Sequence, residues 1–206
     1  MSSLFLFDQT VKSEGFASVC GVDEVGRGPM AGDVYAAAVI LNPGFENELI
    51  NDSKKLSQKK REMLAEIIKA NSRWSVASAS VEEIDRLNIL QAALLAMRRA
   101  VKKLPELPDI ILIDGDKLPE GLPCVARTVV RGDSTSASIA AASIIAKVER
   151  DEYMENLVKQ YPEYDWTSNK GYGTPAHQAL IEQYGACPAH RRSFLKKLEA
   201  KLGRSL

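Results

Sequence analysis

Short β-rich runs alternate along this chain with longer stretches in which apolar residues return every three or four positions, as expected for strands interleaved with helices. Residues 18–25, 33–41 and 73–80 read as strands, with Gly32 and the Asn42-Pro43-Gly44 turn as punctuation. Residues 57–70 read as a helix with Met63, Leu64, Ile67 and Ile68 on one face. Ser80-Val81-Glu82-Glu83 has capping-box spacing. The helix it opens keeps its apolar stripe from Ile84 through Leu90 and Met97 to Leu104, and Pro105 stops it. A buried strand over 108–113 then delivers Asp114-Gly115-Asp116 to its carboxyl end, and another over 125–130 ends at Arg131-Gly132-Asp133. From Ser134 a long helix runs toward Pro162; its core, SIAAASIIAKV, is rich in the small residues that let a helix pack closely on a sheet. Hairpin-linked and crossover-linked strands together predict an α/β fold with helices covering the sheet.

Composition narrows the class. With 206 residues and 45% hydrophobic content, the chain is expected to form one large domain, or one domain with a small appendage. No apolar run reaches the roughly 18 residues that span a membrane. The first residues lack a basic segment followed by an apolar stretch, so a cytoplasmic protein without a secretory signal is expected. Cys20, Cys124 and Cys187 are widely spaced, odd in number and without a CxxC pair, which argues for reduced thiols and against a zinc site. His177 and His190 are the only histidines, leaving few candidates for a Ser-His-Asp triad or a multi-histidine metal site. Carboxylate chemistry is favoured.

The most concentrated chemistry is Asp23-Glu24 set against Val25-Gly26-Arg27-Gly28-Pro29. Paired carboxylates suit a hard divalent cation. Glycines let a backbone approach a phosphate or sugar, and arginine offers a planar fork for phosphate oxygens. The same composition also makes an ordinary surface turn. Side chains alternate along a strand, so Asp23 and Glu24 share a site only if the strand breaks there, as Gly26 and Gly28 would permit. Asp114 recurs at a strand end, where Asp-Gly could be only a turn. Asp133 stands at a strand-to-helix junction, where Asp is a favoured N-cap. Carboxylates gathered at one sheet edge repel unless cations intervene, and two ions about 3.5–4 Å apart bridging a scissile phosphate would relieve that repulsion. The formal net charge is +0, which argues against indiscriminate coating of nucleic acid. Basic residues nonetheless cluster at Lys54, Lys55, Lys59, Lys60 and Arg61, and again from His190 to the end. Each cluster is either a solvated helix face or a phosphate track.

The segments DEVGRGPMAGDVYAAAVIL (23–41), NDSKKLSQKKREML (51–64), LNILQAALLAMRRA (87–100), LIDGD (112–116), GDSTSASIAAASIIAKVERD (132–151), GYGTPAH (171–177) and HRRSF (190–194) together resemble the bacterial ribonuclease HII family, in that family's order. The resemblance implies an RNase H-like fold: a central five-stranded mixed sheet flanked by helices, with a small helical C-terminal part. It implies a catalytic domain over 1–174 and a helical extension over 175–206. The implied activity is endonucleolytic cleavage of RNA–DNA hybrids, and cleavage 5′ of single ribonucleotides in duplex DNA, leaving a 3′-hydroxyl and a 5′-phosphate. It places the catalytic and metal-binding carboxylates on Asp23, Glu24, Asp114 and Asp133, holding two divalent cations, Mn²⁺ or Mg²⁺. It places the 2′-hydroxyl contact on Gly26, Arg27 and Gly28, and the sugar-stacking tyrosine on Tyr172. Lys54, Lys55, Arg191 and Arg192 are expected to hold the substrate backbone, in a protein that works as a monomer and away from membranes. Val25, Met30 and Asp33 depart from the small residue, leucine and proline of the family pattern, which puts only local packing in question.

Other readings fit less well. A type 3 enzyme would carry a substrate-binding domain before Asp23, and a type 1 enzyme would lack DEVGRG and SIAAASIIAK. A non-catalytic nucleic-acid-binding module on the same fold would be expected to have lost an acidic ligand. A two-carboxylate glycosidase leaves Gly-Arg-Gly and the basic clusters without a role.

Overall fold

A computed structural model describes residues 2–50, 53 and 56–206. Five strands, β1 (Val19–Val25), β2 (Val34–Leu41), β3 (Ser72–Ala79), β4 (Ile110–Asp114) and β5 (Val125–Val129), form one sheet in the order β3-β2-β1-β4-β5. β1, β2 and β3 run antiparallel as a meander, whereas β4 and β5 run parallel to β1. The mixed five-stranded sheet flanked by helices is the architecture expected from the sequence.

Alternation along the strands builds two cores. Cys20, Val22, Ala36, Ala38, Ile111 and Ile113 face α4 (Ile89–Lys102), which answers with Ala92, Ala96, Met97 and Val101. Ala37 and Val39 point the other way, toward α5 (Ala137–Val158) and α2 (Gln58–Ala70). Each Ile, Val or Leu buried here contributes roughly 1.5–3 kcal/mol relative to exposure. The small residues of α5 let it lie directly on β1. A Cβ at Gly21 would stand 2.0 Å from the Ser138 carbonyl carbon, so only glycine admits the helix at that distance.

Three features depart from the sequence expectation. The single helix expected from Ser80 is two helices, α3 (Val81–Leu87) and α4, because Asn88 takes φ 75°. Asn88 donates its N–H to Ile84 O to close α3 and accepts from the Gln91 N–H to open α4. Asparagine competes with helix hydrogen bonding in this way, and apolar periodicity alone does not reveal it. The long helix begins at Ala137 with Ser136 as its N-cap, after a 3₁₀ turn over Gly132–Ser134. An unanticipated helix, α1 (Ser3–Ser13), buries Leu4, Phe5, Asp8 and Val11. Asp8 accepts from Ser136 Oγ at 2.6 Å and from the Ser138 N–H at 2.8 Å, fastening α1 to the start of α5.

After α5 come a short helix α6 (Trp166–Asn169), then α7 (Pro175–Tyr184) and α8 (Arg192–Leu202). Tyr164, Trp166, Ile181, Leu195 and Leu198 share a core with Met154 and Leu157 of α5 and with Ala31 of the loop between β1 and β2. The C-terminal helices therefore pack on the far end of α5, against the loop that follows Asp23-Glu24.

Candidate active site

Asp23, Glu24 and Asp114 each offer a carboxylate oxygen, and these oxygens lie within 4.8 Å of one another. The strand does not break to bring the first two together, contrary to expectation: β1 continues through both, with Asp23 opposite Ala37 and Glu24 opposite Ala36. The ladder to β4 ends at Val22, so the other edge of β1 is open from Asp23 onward, and Asp114 stands at the end of the departing strand. Asp23 also folds back, its Oδ1 accepting the Glu24 N–H at 2.7 Å. Burial, joined by the Glu24 and Asp114 charges, pushes the Asp23 carboxyl well above the usual carboxylate range. Burial raises Glu24 as well, opposed by the Arg27 guanidinium 3.2 Å away. Acidic oxygens that raise one another when alone form a donor set suited to a hard divalent cation.

Asp133 is buried in the 3₁₀ turn beside this group but is not one of the three. The adjoining Gly132 N–H donates to Asp114 Oδ1 at 2.6 Å. The capping reading of Asp133 does not hold, because Ser136 takes that position with its side chain accepting from the Ile139 N–H.

The loop after Glu24 is held from behind by two buried arginines that sequence inspection did not identify as a pair. Arg150, on α5, donates to the carbonyls of Asp33, Lys170 and Ala31 at 3.1–3.2 Å. Arg191 is 0% exposed and donates to Gly32 O at 2.8 Å, Pro29 O and Gly26 O at 2.7 Å, and Arg27 O at 3.2 Å. Gly26 sits at φ 96°, and a Cβ there would stand 2.2 Å from Arg150 Nε. The expectation that Arg191 grips substrate phosphates is therefore corrected: its donors are committed to loop carbonyls and no solvent reaches it. No local signal marked Arg150, which stands in the charged stretch Lys147–Glu152 beyond the small-residue run of α5.

Arg192 is exposed, with its side chain on the Leu206 carbonyl and its N–H on Asp85 Oδ2. Lys54 and Lys55 lie outside the described residues. Arg61, from the same basic cluster, donates to Ser53 O and Leu56 O on either side of them.

Tyr172 is 46% exposed, and its ring lies 3.4 Å from the place a Cβ would occupy at Gly28. The Gly26–Gly28 and 171–173 segments, far apart in sequence, thus meet. Met30 N–H to Gly171 O at 2.8 Å ties the two loops together. A cleft of about 170 Å³ lined by Glu24, Arg27, Leu90, Met97 and Asp114 opens toward a groove of about 720 Å³ carrying Arg86, Arg98 and Lys117.

Comparison with known proteins identifies the family. The Ribonuclease HII family profile matches residues 20–197. A ribonuclease HII of Ruegeria pomeroyi is 52% identical over 190 residues, covering 92% of this chain and 81% of the relative. One from Cereibacter sphaeroides is 57% identical over 182 residues, covering 88% and 86%. Among solved structures, the ribonuclease H2 of Pyrococcus horikoshii superposes with a TM-score of 0.75 at 27% identity, covering 91% of this chain and all of that one. A profile match across most of the chain, with relatives above half identity, leaves one conclusion: this chain belongs to the ribonuclease HII family and is an endoribonuclease of the ribonuclease H type.

Proposed function

We propose that this enzyme hydrolyses the RNA strand of RNA–DNA hybrids and also incises duplex DNA on the 5′ side of a single embedded ribonucleotide, leaving a 3′-hydroxyl and a 5′-phosphate. The observation that carries the reading is the meeting of Asp23, Glu24 and Asp114 beside a loop where Gly28 faces Tyr172. Asp23, Glu24, Asp114 and Asp133 would hold two divalent cations, Mg²⁺ or Mn²⁺. Ions so placed supply an activated water and stabilise charge on the attacking and leaving oxygens. The protein's own part is positioning. Backbone groups of Gly26, Arg27 and Gly28 contact the 2′-hydroxyl, which DNA lacks, while the Tyr172 ring packs on the sugar. Arg86, Arg98 and Lys117 in the adjoining groove suit phosphates of the duplex, fixing register without reading sequence.

A labelled duplex with one ribonucleotide, incubated with and without EDTA, tests this. One metal-dependent cut 5′ of the ribonucleotide is expected, and the downstream fragment should be labelled by kinase only after phosphatase treatment. Asp114→Asn should fold normally and lose roughly 100-fold or more in kcat/KM. Near-parent cleavage by that variant would sink the assignment. Lys54 and Lys55 are proposed as phosphate contacts. Changing both to Ala should weaken binding alike for different base sequences and reduce the salt slope by about 1 for each phosphate no longer neutralised. An unchanged slope would return them to a solvated helix start.

A further inference from the structure

The segment from Cys187 to Arg191 reaches the ribonucleotide pocket from behind, twice. Arg191 N–H donates to Met30 O and Gly32 N–H to Ala189 O, both at 2.8 Å, so this segment lies alongside the loop between β1 and β2. Its successive side chains then go different ways.

Arg191 turns toward the Gly-Arg-Gly motif and holds the carbonyls of Gly26 and Arg27. No cis peptide bond occurs among the described residues. In a trans peptide the C=O and the N–H of one plane point in opposite directions. A Gly26 carbonyl turned inward therefore turns the Arg27 N–H outward, and the Arg27 carbonyl does the same for the Gly28 N–H. The buried guanidinium thus aims two donors away from itself. Four carbonyls on one planar fork demand arginine, since a lysine ammonium is a point donor with three protons.

His190 turns toward the other half of the pocket, where the donors fix every proton. Cys187 N–H donates to His190 Nδ1 at 3.0 Å, so the His190 proton is on Nε2, which donates to His177 Nε2 at 3.1 Å. Cys187 Sγ also lies 3.2 Å from His190 Nδ1. His177 Nε2 accepts from Trp166 Nε1 as well, at 3.3 Å, which puts the His177 proton on Nδ1. From there it donates to the Tyr172 carbonyl at 2.9 Å. Two neutral imidazoles form a directed chain that ends on the backbone of the tyrosine whose ring faces Gly28.

We propose that the adjacent His190 and Arg191 are positioning residues for ribonucleotide recognition: Arg191 orients the Arg27 and Gly28 N–H groups, and His190, through His177, sets Tyr172. This rests on the reading of those groups as the contacts to the 2′-hydroxyl and its sugar. It assigns to Arg191 a specificity role without substrate contact.

The test compares kcat/KM on a duplex with one ribonucleotide against the same duplex with a 2′-deoxy-2′-fluoro nucleotide at that position. Loss of folded protein lowers both values together and leaves their ratio unchanged; a misaimed pocket lowers the ratio. Arg191→Lys and His177→Leu should each reduce the preference for the ribonucleotide by about tenfold, as expected when groups built around a hydroxyl lose their alignment. His177→Asn places an amide N–H near the former Nδ1 and should restore most of the ratio. Where Arg191→Lys is soluble but too slow to assay, the Arg27 and Gly28 amide resonances serve instead. In the parent protein they should shift on adding the ribonucleotide duplex without metal, and in the variant the shift should be lost. A parent-like ratio in both Arg191→Lys and His177→Leu, or a retained amide shift, overturns the inference. A parent that does not discriminate, or a Tyr172→Ala variant with the parent ratio, overturns the pocket reading itself.

Discussion

At the scale of single residues, the pocket combines one exposed aromatic ring with buried cations that never meet solvent. Tyr172→Ala should cut cleavage of a single-ribonucleotide duplex sharply, by about tenfold or more, while the fold and metal binding persist. Tyr172→Phe keeps the ring and should lose less. Parent-like rates for the alanine variant would reject the tyrosine's role even with the carboxylates intact. The buried Arg191 also bears on Asp33, a position where the family resemblance leads to an expectation of proline. Its carboxylate accepts from the Val81 N–H at 3.2 Å, Tyr153 Oη at 3.3 Å and Ser78 Oγ at 3.4 Å. Burial pushes Asp33 above the usual carboxylate range, while these donors and the Arg191 cation pull it down. Its carboxylate lies in reach of the buried Arg191 charge, where an acidic residue is electrostatically tolerable.

At the scale of elements, the contact between β1 and α5 sets where the carboxylates stand. Gly21 is two residues before Asp23, and α5 lies against its backbone. Gly21→Ala should push the helix off the strand and cost about 3 kcal/mol, the upper end of the range for forcing an extra methyl into a packed interior. Urea unfolding of the variant reads this, and a midpoint within error of the parent would show that α5 yields freely. Remote caps hold other helix ends. Asp85, on α3, accepts the N–H groups of Arg192 and Ser193 at 2.9 Å, capping α8 from a distant part of the chain. Nothing in the local pattern signals that cap, since Arg191 occupies the N-cap position and its side chain is engaged elsewhere.

At the scale of the molecule, the C-terminal segment supports Tyr172 through the histidine chain, and that chain depends on pH. Burial lowers His177, and burial together with the His177 and Arg192 charges brings His190 down to about 4. Cys187 and Tyr164 are the other ionisable groups against His190. A base whose folded-state pKa is depressed is protonated first in the unfolded chain, so the unfolded chain gains protons as pH falls. Stability present above about pH 6.5 should therefore be lost progressively toward pH 4, by on the order of 2 kcal/mol at pH 4.5. His190→Gln should flatten this part of the stability profile, measured by urea unfolding from pH 7 to pH 4.5. A profile as steep as the parent's would place the acid-sensitive groups elsewhere.

The sequence by itself determined the strands, their helix-covered sheet, and the family to which the acidic and glycine-rich segments belong. Those features rest on local periodicity and contiguous motifs, which a linear reading preserves. It did not determine the break at Asn88, because a single polar residue stops a helix without disturbing apolar spacing. Nor did it separate the arginines: Arg191 and Arg192 are neighbours in one basic run, yet one is sealed beneath four carbonyls and the other lies in solvent. Charge is legible in sequence, whereas burial and hydrogen-bond partners at positions 26–32, some 160 residues away, are not. Only the tertiary structure decided that Asp23 and Glu24 converge on an unbroken strand, because β4 departs from β1 after Val22 and opens that edge. Only packing decided that the two histidines form a chain of neutral hydrogen bonds to Tyr172.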